Sequence, residues 1–100
     1  MNQEEHIASI DETIVWMQNK MKETLMHPRN LVKMHWRECD EAYLVQCIEQ
    51  KFAEYYHTSE GDTNRRIQKM VDIANFTMMI ADQWNRGIYG HNQRITRSFD

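Results

Sequence analysis

The stretch KMVDIANFTMMIADQW, residues 69–84, decides the fold of this chain. Its apolar side chains form two rows at helical spacing on opposite sides of a helix. The first row is Met70, Val71, Ala74, Met78, Ala81 and Trp84, and the second is Ile73, Phe76, Met79 and Ile80. A helix that is apolar on nearly every side is buried on several sides, so the pattern predicts a central helix. Because Asp72 interrupts it and a buried carboxylate is costly when unpaired, we expect a lysine, a metal ion or a ligand beside Asp72.

The composition favours one all-α domain, residues 1–100. Three Gly and one Pro leave little turn chemistry for a multistranded sheet. The net charge of −3 argues against nucleic acid as a partner, since nucleic-acid-binding domains are usually strongly basic. No apolar run reaches the roughly 18 residues of a membrane span, so we expect no membrane partner. Cys39 and Cys47, outside any disulfide-rich pattern, are interpreted as reduced thiols of a cytoplasmic protein.

An amphipathic helix is predicted over residues 4–26. Its apolar side chains follow steps of three and four, at Ile7, Ile10, Ile14, Met17, Met21 and Leu25. His27-Pro28 ends this helix, because proline disfavours the helical conformation of the residue before it. Residues 28–39 are then expected to form a connection.

A second helix is predicted over residues 41–57, after an N-cap at Asp40. Its inward face is expected to hold Val45, Ile48, Phe52 and Tyr55. The turn at 58–62 leads into the third helix, which contains the stretch quoted above and ends near Asn85. For residues 88–100 a short helix and a loose tail remain the two alternatives.

The apolar surface predicts self-association. Three Trp and eight Met, together with the two apolar rows of the third helix, exceed what a 100-residue monomer can hide. Obligate interfaces resemble a domain core cut in half. We therefore expect a helical bundle completed by oligomerisation, a homodimer in the first place and a tetramer as the alternative.

Two polar strips carry the candidate chemistry. Gln50, Lys51 and Glu54 share one side of the second helix, and Lys69, Asp72 and Asn75, with Gln68, share one side of the third. If the helices are antiparallel neighbours, the strips face one another. One interpretation is a structural salt-bridge cluster, and the other is a divalent-metal or ligand site. Chemistry favours the cluster, since two acids beside two lysines make a poor magnesium site.

A resemblance adds to these observations. His35-Trp36-Arg37, Tyr43-Leu44, Glu54 and above all the run VDIANFTMMIAD, residues 71–82, resemble the MazG-like nucleotide pyrophosphohydrolases, particularly their short phage forms. The similarity covers about residues 25–84. It implies an all-α bundle assembled as dimers or tetramers, and magnesium-dependent cleavage of nucleoside triphosphates to monophosphate and pyrophosphate.

The chain departs from that family in its acids. The family motif is E-E-x-x-E on one helix and E-x-x-D on the next, which here become QKFAE, residues 50–54, and KMVD, residues 69–72. Glu54 and Asp72 are thus the two candidate catalytic and Mg²⁺-binding acids, and Lys51 and Lys69 stand where acids are expected. A lysine ammonium binds phosphate as a point charge, so binding without catalysis is one consequence. In that case no metal cofactor is needed.

The remaining candidates are single residues. For Trp36 the alternatives are core packing, which we favour, and stacking on a base. Lys33 is a candidate contact to phosphate. Asn75 is a further candidate contact to the nucleotide. His35 and Cys39 alone do not make a zinc site.

Three functions follow. The first is a pseudoenzyme that binds a nucleotide or a protein partner, for instance as a phage-encoded inhibitor. The others are an active magnesium-dependent nucleoside triphosphate pyrophosphohydrolase and a pure protein-interaction module.

Overall fold

The computed structural model describes residues 1–87, and the secondary structure in this part of the chain is helical. The elements in chain order are α1 (Gln3–Leu25), α2 (Pro28–Leu31), a short 3-10 helix (Trp36–Glu38), α3 (Glu41–Tyr56) and α4 (Thr63–Asn85). The all-α prediction and its three main helices are confirmed. The predicted connection contains α2 and the 3-10 helix, and the alternatives for residues 88–100 lie outside the described residues.

Local sequence explains where the helices begin. Asn2 and Glu5 form a capping box, in which each side chain accepts a hydrogen bond from the backbone N–H of the other residue. Pro28 occupies the first turn of α2, where its missing N–H leaves no helical hydrogen bond unmade. Asp62 caps α4 by accepting a hydrogen bond from the backbone N–H of Arg65 at 3.2 Å. These caps divide the chain at the same places as the sequence pattern.

Helix α4 lies at the centre, with α1 and α3 packed against it. The contacts with α1 run in opposite order along the two helices: Asn75 Nδ2 donates to the Met21 carbonyl oxygen at 3.3 Å, and Gln68 Nε2 donates to Thr24 Oγ1 at 3.0 Å. Helix α3 precedes α4 in the chain and is joined to it by the turn at 57–62. The two helices pack antiparallel, since Lys51 lies beside Asp72 and Glu54 beside Lys69. The polar strips predicted on α3 and α4 therefore face one another.

The core of this arrangement is small. Among residues 1–87, Leu44 and Val71 are the fully buried apolar side chains, at 2% and 1% exposure. The predicted inward face of α3 is wrong for Val45 and Phe52, which are exposed at 38% and 41%. The physical reason is the orientation of α3 about its own axis. Leu44 is the buried residue of α3, and Val45 lies about 100° further round the helix, so its side chain is on the flank.

The central helix is also less covered than its pattern predicts. Met78 and Trp84 remain exposed at 37% and 46%, and no residue of α1 is fully buried. Two polar side chains of α4, Asn75 and Gln83, are instead buried at 3% and 0% exposure. The described chain thus leaves much of its apolar surface open. Within residues 1–87, no helix has both the length and the apolar character that crossing a membrane requires.

Candidate functional site

Four charged side chains meet between α3 and α4, and we call them the charge cluster: Lys51, Glu54, Lys69 and Asp72. Lys69 Nζ lies 2.7 Å from Glu54 Oε1, the shortest contact in the cluster. Lys51 Nζ bridges both acids, at 3.4 Å from Glu54 Oε1 and 3.6 Å from Asp72 Oδ2. The four side chains are 17–34% exposed, so the cluster is half-buried rather than sealed from water. The sequence prediction that a lysine lies beside Asp72 is confirmed.

Two glutamines complete the cluster. Gln50 Nε2 donates to Glu54 Oε2 at 3.0 Å, and Gln68 Nε2 donates to Asp72 Oδ1 at 2.9 Å. Each carboxylate thus accepts from an amide on its own helix and also lies beside at least one lysine ammonium. Opposite charges at this distance favour the ionised form of both partners. The hydrogen bond from Lys69 is the main cause that lowers the pKa of Glu54 from 4.5 to about 2, and the bond from Gln50 adds to it.

The donor set does not suit a magnesium ion in this arrangement. Magnesium prefers several carboxylate oxygens and keeps part of its water shell. Here two carboxylates are available, and two ammonium groups already balance their charge. Across residues 1–87, no three His, Cys, Asp or Glu side chains converge in a group that could hold a metal ion.

An open pocket of about 470 Å³ adjoins the cluster at the turn between α3 and α4. Its lining includes Gln50, Glu54, His57, Asp62, Arg65 and Lys69. Arg65 pairs with Asp62 at 3.5 Å, and both side chains are largely exposed. The pocket therefore presents two cations that solvent reaches, each beside an acid. Sequence reasoning missed Arg65, because no motif marks it, although Arg65 and Lys69 are four residues apart on α4 and so share one side of that helix.

The predicted nucleotide contacts do not all lie in one place. Asn75 is buried between α1 and α4, where its Nδ2 donates to the Met21 carbonyl and its Oδ1 has no hydrogen-bond partner. Lys33 is exposed in the loop before the 3-10 helix. Trp36 Nε1 donates to Asp82 Oδ2 at 2.8 Å. Since Asp82 is ten residues beyond Asp72, about 15 Å along the helix, the structure does not bring Trp36 to the charge cluster.

A second polar cluster holds the 3-10 segment against α4, and we call it the Asp82 clamp: Trp36, Arg37, Asp82, Gln83 and Arg86. Asp82 Oδ2 accepts from Trp36 and, at 2.9 Å, from Arg37 Nε, while Oδ1 accepts from Arg86 Nε. The Arg37 guanidinium, with Trp36 and Arg86, holds the pKa of Asp82 far below its usual range. Trp36 is thus held against α4 by a hydrogen bond and is only partly buried, which differs from the core packing that the sequence interpretation favours.

Gln83 extends the clamp into the interior. Its Nε2 donates to the carbonyl oxygens of Trp36 and Cys39, both at 2.8 Å. These bonds tie both ends of the 3-10 segment to α4; the Trp36 carbonyl also accepts from the backbone N–H of Cys39 at 3.1 Å. Sequence reasoning missed both Asp82 and Gln83, although their place at the end of an otherwise apolar run was a usable signal.

The two thiols lie just before α3 and within it. Cys39 and Cys47 are free, as predicted, and Cys39 Sγ lies 3.7 Å from the His35 carbonyl oxygen. Burial and the neighbouring Cys47 raise the pKa of the Cys39 thiol, which lowers its thiolate fraction and its reactivity.

The charge cluster occupies the positions at which the resemblance to the MazG-like family implies metal-binding acids, and three residues of the clamp, Trp36, Arg37 and Asp82, lie in the runs that carry the resemblance. Comparison with protein-family models, with curated proteins and with solved structures gives no match to this chain.

Proposed function

We propose that this protein has the MazG-like nucleotide pyrophosphohydrolase fold but acts by binding and does not hydrolyse. The observation that carries the proposal is the charge cluster, in which Lys51 and Lys69 sit beside Glu54 and Asp72. In the family that the sequence resembles, acids at these positions hold the metal that neutralises the phosphates. Here the ammonium groups supply that neutralisation permanently, so the strip is charge-balanced without a metal.

The pocket beside the cluster supports a nucleotide as the ligand. Arg65 and Lys69 are cations at its wall, and Gln50 and His57 add further hydrogen-bonding groups. An arginine guanidinium and a lysine ammonium are the usual partners of phosphate oxygens. The polyphosphate chain of a nucleoside triphosphate then displaces Asp62 from Arg65, which is a small loss because that ion pair is exposed.

Calorimetric titration with each common nucleoside triphosphate, with and without magnesium, tests the proposal. We expect binding that does not require magnesium and that weakens when Arg65 is replaced by Gln. Arg86→Gln is the matched control, since Arg86 also pairs with an acid on its own helix but lies about 30 Å further along α4. Loss of binding in both variants, or in neither, would contradict a nucleotide site in this pocket.

Pyrophosphate release tests the absence of hydrolysis. With magnesium or manganese we expect no release above background, because Gln50, Lys51 and Lys69 stand where the family motif has acids. Release that Asp72→Asn abolishes would show an active pyrophosphohydrolase whose metal site forms only with substrate, and would overturn the proposal.

A protein partner is the second candidate, and one observation favours it. The flank of α3 that faces away from the charge cluster carries Val45, Phe52 and Tyr56, exposed at 38%, 41% and 76%. Such an aromatic and aliphatic strip beside an exposed loop is typical of a protein-binding surface. If nucleotides fail to bind, Phe52→Ser should weaken capture of the partner and leave the melting temperature nearly unchanged, whereas loss of fold would assign the strip to the core.

A further inference from the structure

Residues 26–34, which link α1 to the 3-10 helix through α2, expose a group of apolar side chains, and we call this segment the 26–34 turn. The group consists of Met26, Leu31, Val32 and Met34, exposed at 57%, 61%, 84% and 66%. Every residue of the turn except Asn30 is exposed. Because these side chains are open to solvent, packing within the described chain does not account for their apolar character.

The turn is nevertheless ordered by its own hydrogen bonds. The backbone N–H groups of Asn30 and Leu31 donate to the His27 carbonyl oxygen at 2.8 and 3.1 Å, and that of Lys33 donates to the Asn30 carbonyl oxygen at 3.2 Å. Asn30 Nδ2 donates to the Thr24 carbonyl oxygen at 2.7 Å, which fastens the turn to the end of α1. The apolar side chains are therefore presented on a preformed backbone, and a partner loses less entropy when it binds to such a surface.

The turn is also a positively charged part of an acidic protein. The chain has a net charge of −3, yet between Glu23 and Glu38 it contains no acid and three cations, Arg29, Lys33 and Arg37. Arg37 is paired with an acid of α4. Arg29 and Lys33 are exposed, and within residues 1–87 neither forms an ion pair. An acidic partner is therefore electrostatically complementary to the turn.

The backbone next to the apolar group favours a protein as that partner. Met34 and His35 lie outside any helix, and within residues 1–87 their backbone N–H groups make no hydrogen bond. Such groups are costly against the hydrocarbon of a membrane, whereas another polypeptide supplies carbonyl acceptors for them. The four apolar side chains of the turn also offer no aromatic ring on which a nucleobase stacks.

We propose that the 26–34 turn binds a segment of another protein in which apolar side chains are flanked by Asp and Glu. The apolar side chains of that segment pack on Leu31, Val32 and Met34, and its acids pair with Arg29 and Lys33. An exposed apolar group beside unpaired cations is typical of an interaction site, and Met and Arg are enriched at protein interfaces. The turn shares no residue with the charge cluster, the pocket or the exposed flank of α3, so this proposal is independent of the proposed function.

Selection of random short peptides on the immobilised full chain tests the chemistry of the partner. Counter-selection on the variant Leu31→Ser with Val32→Ser removes peptides that bind elsewhere on the protein. We expect the remaining peptides to be rich in Asp, Glu and apolar residues. A remaining set without an excess of acids, or no peptide that depends on the turn, overturns the proposal.

The apolar contribution is measured by fluorescence anisotropy with an enriched peptide. Leu31→Ser with Val32→Ser should weaken binding at least about tenfold, because two apolar side chains of the interface are lost. Ile14→Ser with Val15→Ser is the matched control, an adjacent aliphatic pair on α1 exposed at 56% and 54%, and should leave the affinity unchanged. Both variants should keep the circular dichroism spectrum, since all four side chains are exposed. Equal weakening by the two variants, or by neither, contradicts binding at the turn.

The charge contribution is measured with the same peptide and needs no change in the apolar group. Arg29→Glu with Lys33→Glu should weaken binding at least about tenfold at low salt and less at high salt, because added ions screen the repulsion. Arg29→Lys keeps the charge and should keep the binding. An unchanged affinity in the charge-reversed variant overturns an acidic partner.

Two other occupants of the turn give separate outcomes. Co-sedimentation with vesicles of anionic phospholipid that is lost in Leu31→Ser with Val32→Ser would assign the turn to a membrane surface. A halving of the mass in light scattering on the same change would assign it to a second copy of this chain. Either result overturns the proposal.

Discussion

Replacing Lys69 with Ala tests whether the charge cluster stabilises the fold. Lys69 Nζ lies 2.7 Å from Glu54 Oε1, and the two side chains are 20% and 34% exposed. Removing one partner of a buried pair costs about 3–5 kcal/mol, whereas an exposed pair is worth less than about 1 kcal/mol. In the variant Glu54 keeps Gln50 and Lys51, and water reaches a third of its side chain. We therefore expect the free energy of unfolding to fall by about 1–2 kcal/mol, between those limits.

Urea denaturation of both proteins at the same fixed concentration measures this loss. Lys51→Ala is the control within the cluster. Its ammonium lies 3.4 and 3.6 Å from the two acids, a looser geometry, so its loss should stay below about 1 kcal/mol. Lys69→Met keeps most of the apolar stem and separates lost charge from lost packing. An unchanged stability in Lys69→Ala would refute a structural role for this lysine.

The same variant has a signature in acid. The pKa of Glu54 is lowered from 4.5 to about 2, so its stabilising contribution is complete above pH 4.5 and is lost as the pH falls toward 2. Without Lys69 the pKa of Glu54 rises toward its ordinary value, and the decline of stability over this window should become shallower. An identical decline in both proteins would show that Lys69 is not the cause of the lowered pKa.

Three further outcomes are expected. Gln83→Leu should cost about 1–3 kcal/mol in urea denaturation, since the part-buried carbonyls of Trp36 and Cys39 both lose the Gln83 donor; an unchanged stability would contradict this. Asp82→Asn should release the 3-10 segment, which would be measured as a red shift of Trp36 fluorescence and as faster amide exchange at residues 35–39. An unchanged fluorescence spectrum would show that Asp82 does not hold this segment. Lys51→Glu combined with Lys69→Glu should destabilise the fold and make its melting temperature rise with added magnesium; a stable metal-free protein would show that the lysines are not the compensating charges.

The helices were predictable because each depends on local pattern. The steps of three and four in α1, the Pro28 boundary and the apolar run of α4 act within a few turns of the chain, and the observed helix bounds follow them. The face of α3 was predicted less well. Val45 and Leu44 are adjacent in sequence and both apolar, so the pattern alone does not decide which one turns inward. That choice is made by the partner helix, which the sequence does not show.

The charge cluster was predictable from the sequence and the Asp82 clamp was not, for the same reason. Lys51, Glu54, Lys69 and Asp72 lie at helical spacing on two neighbouring helices joined by a short turn, so their meeting follows from topology. The Asp82 clamp joins residues 45–47 positions apart, and no periodic pattern relates them. Its members were visible as isolated polar residues beside apolar ones. Long-range hydrogen bonds of this kind are the part of a fold that propensity does not specify.

The charge cluster also explains why its two lysines belong together. If Lys69 alone were an acid, it would lie against Glu54, and Lys51 would be the single cation among three carboxylates. If Lys51 alone were an acid, Asp72 would lose its only ion-pair partner in the cluster. Either single change creates like-charge repulsion in a half-buried site, where screening by water is incomplete. The cluster is therefore balanced at two acids with two lysines, or at several acids with a metal ion, and intermediate compositions are unstable. In this chain the two lysines supply the positive charge that the two carboxylates of the cluster require.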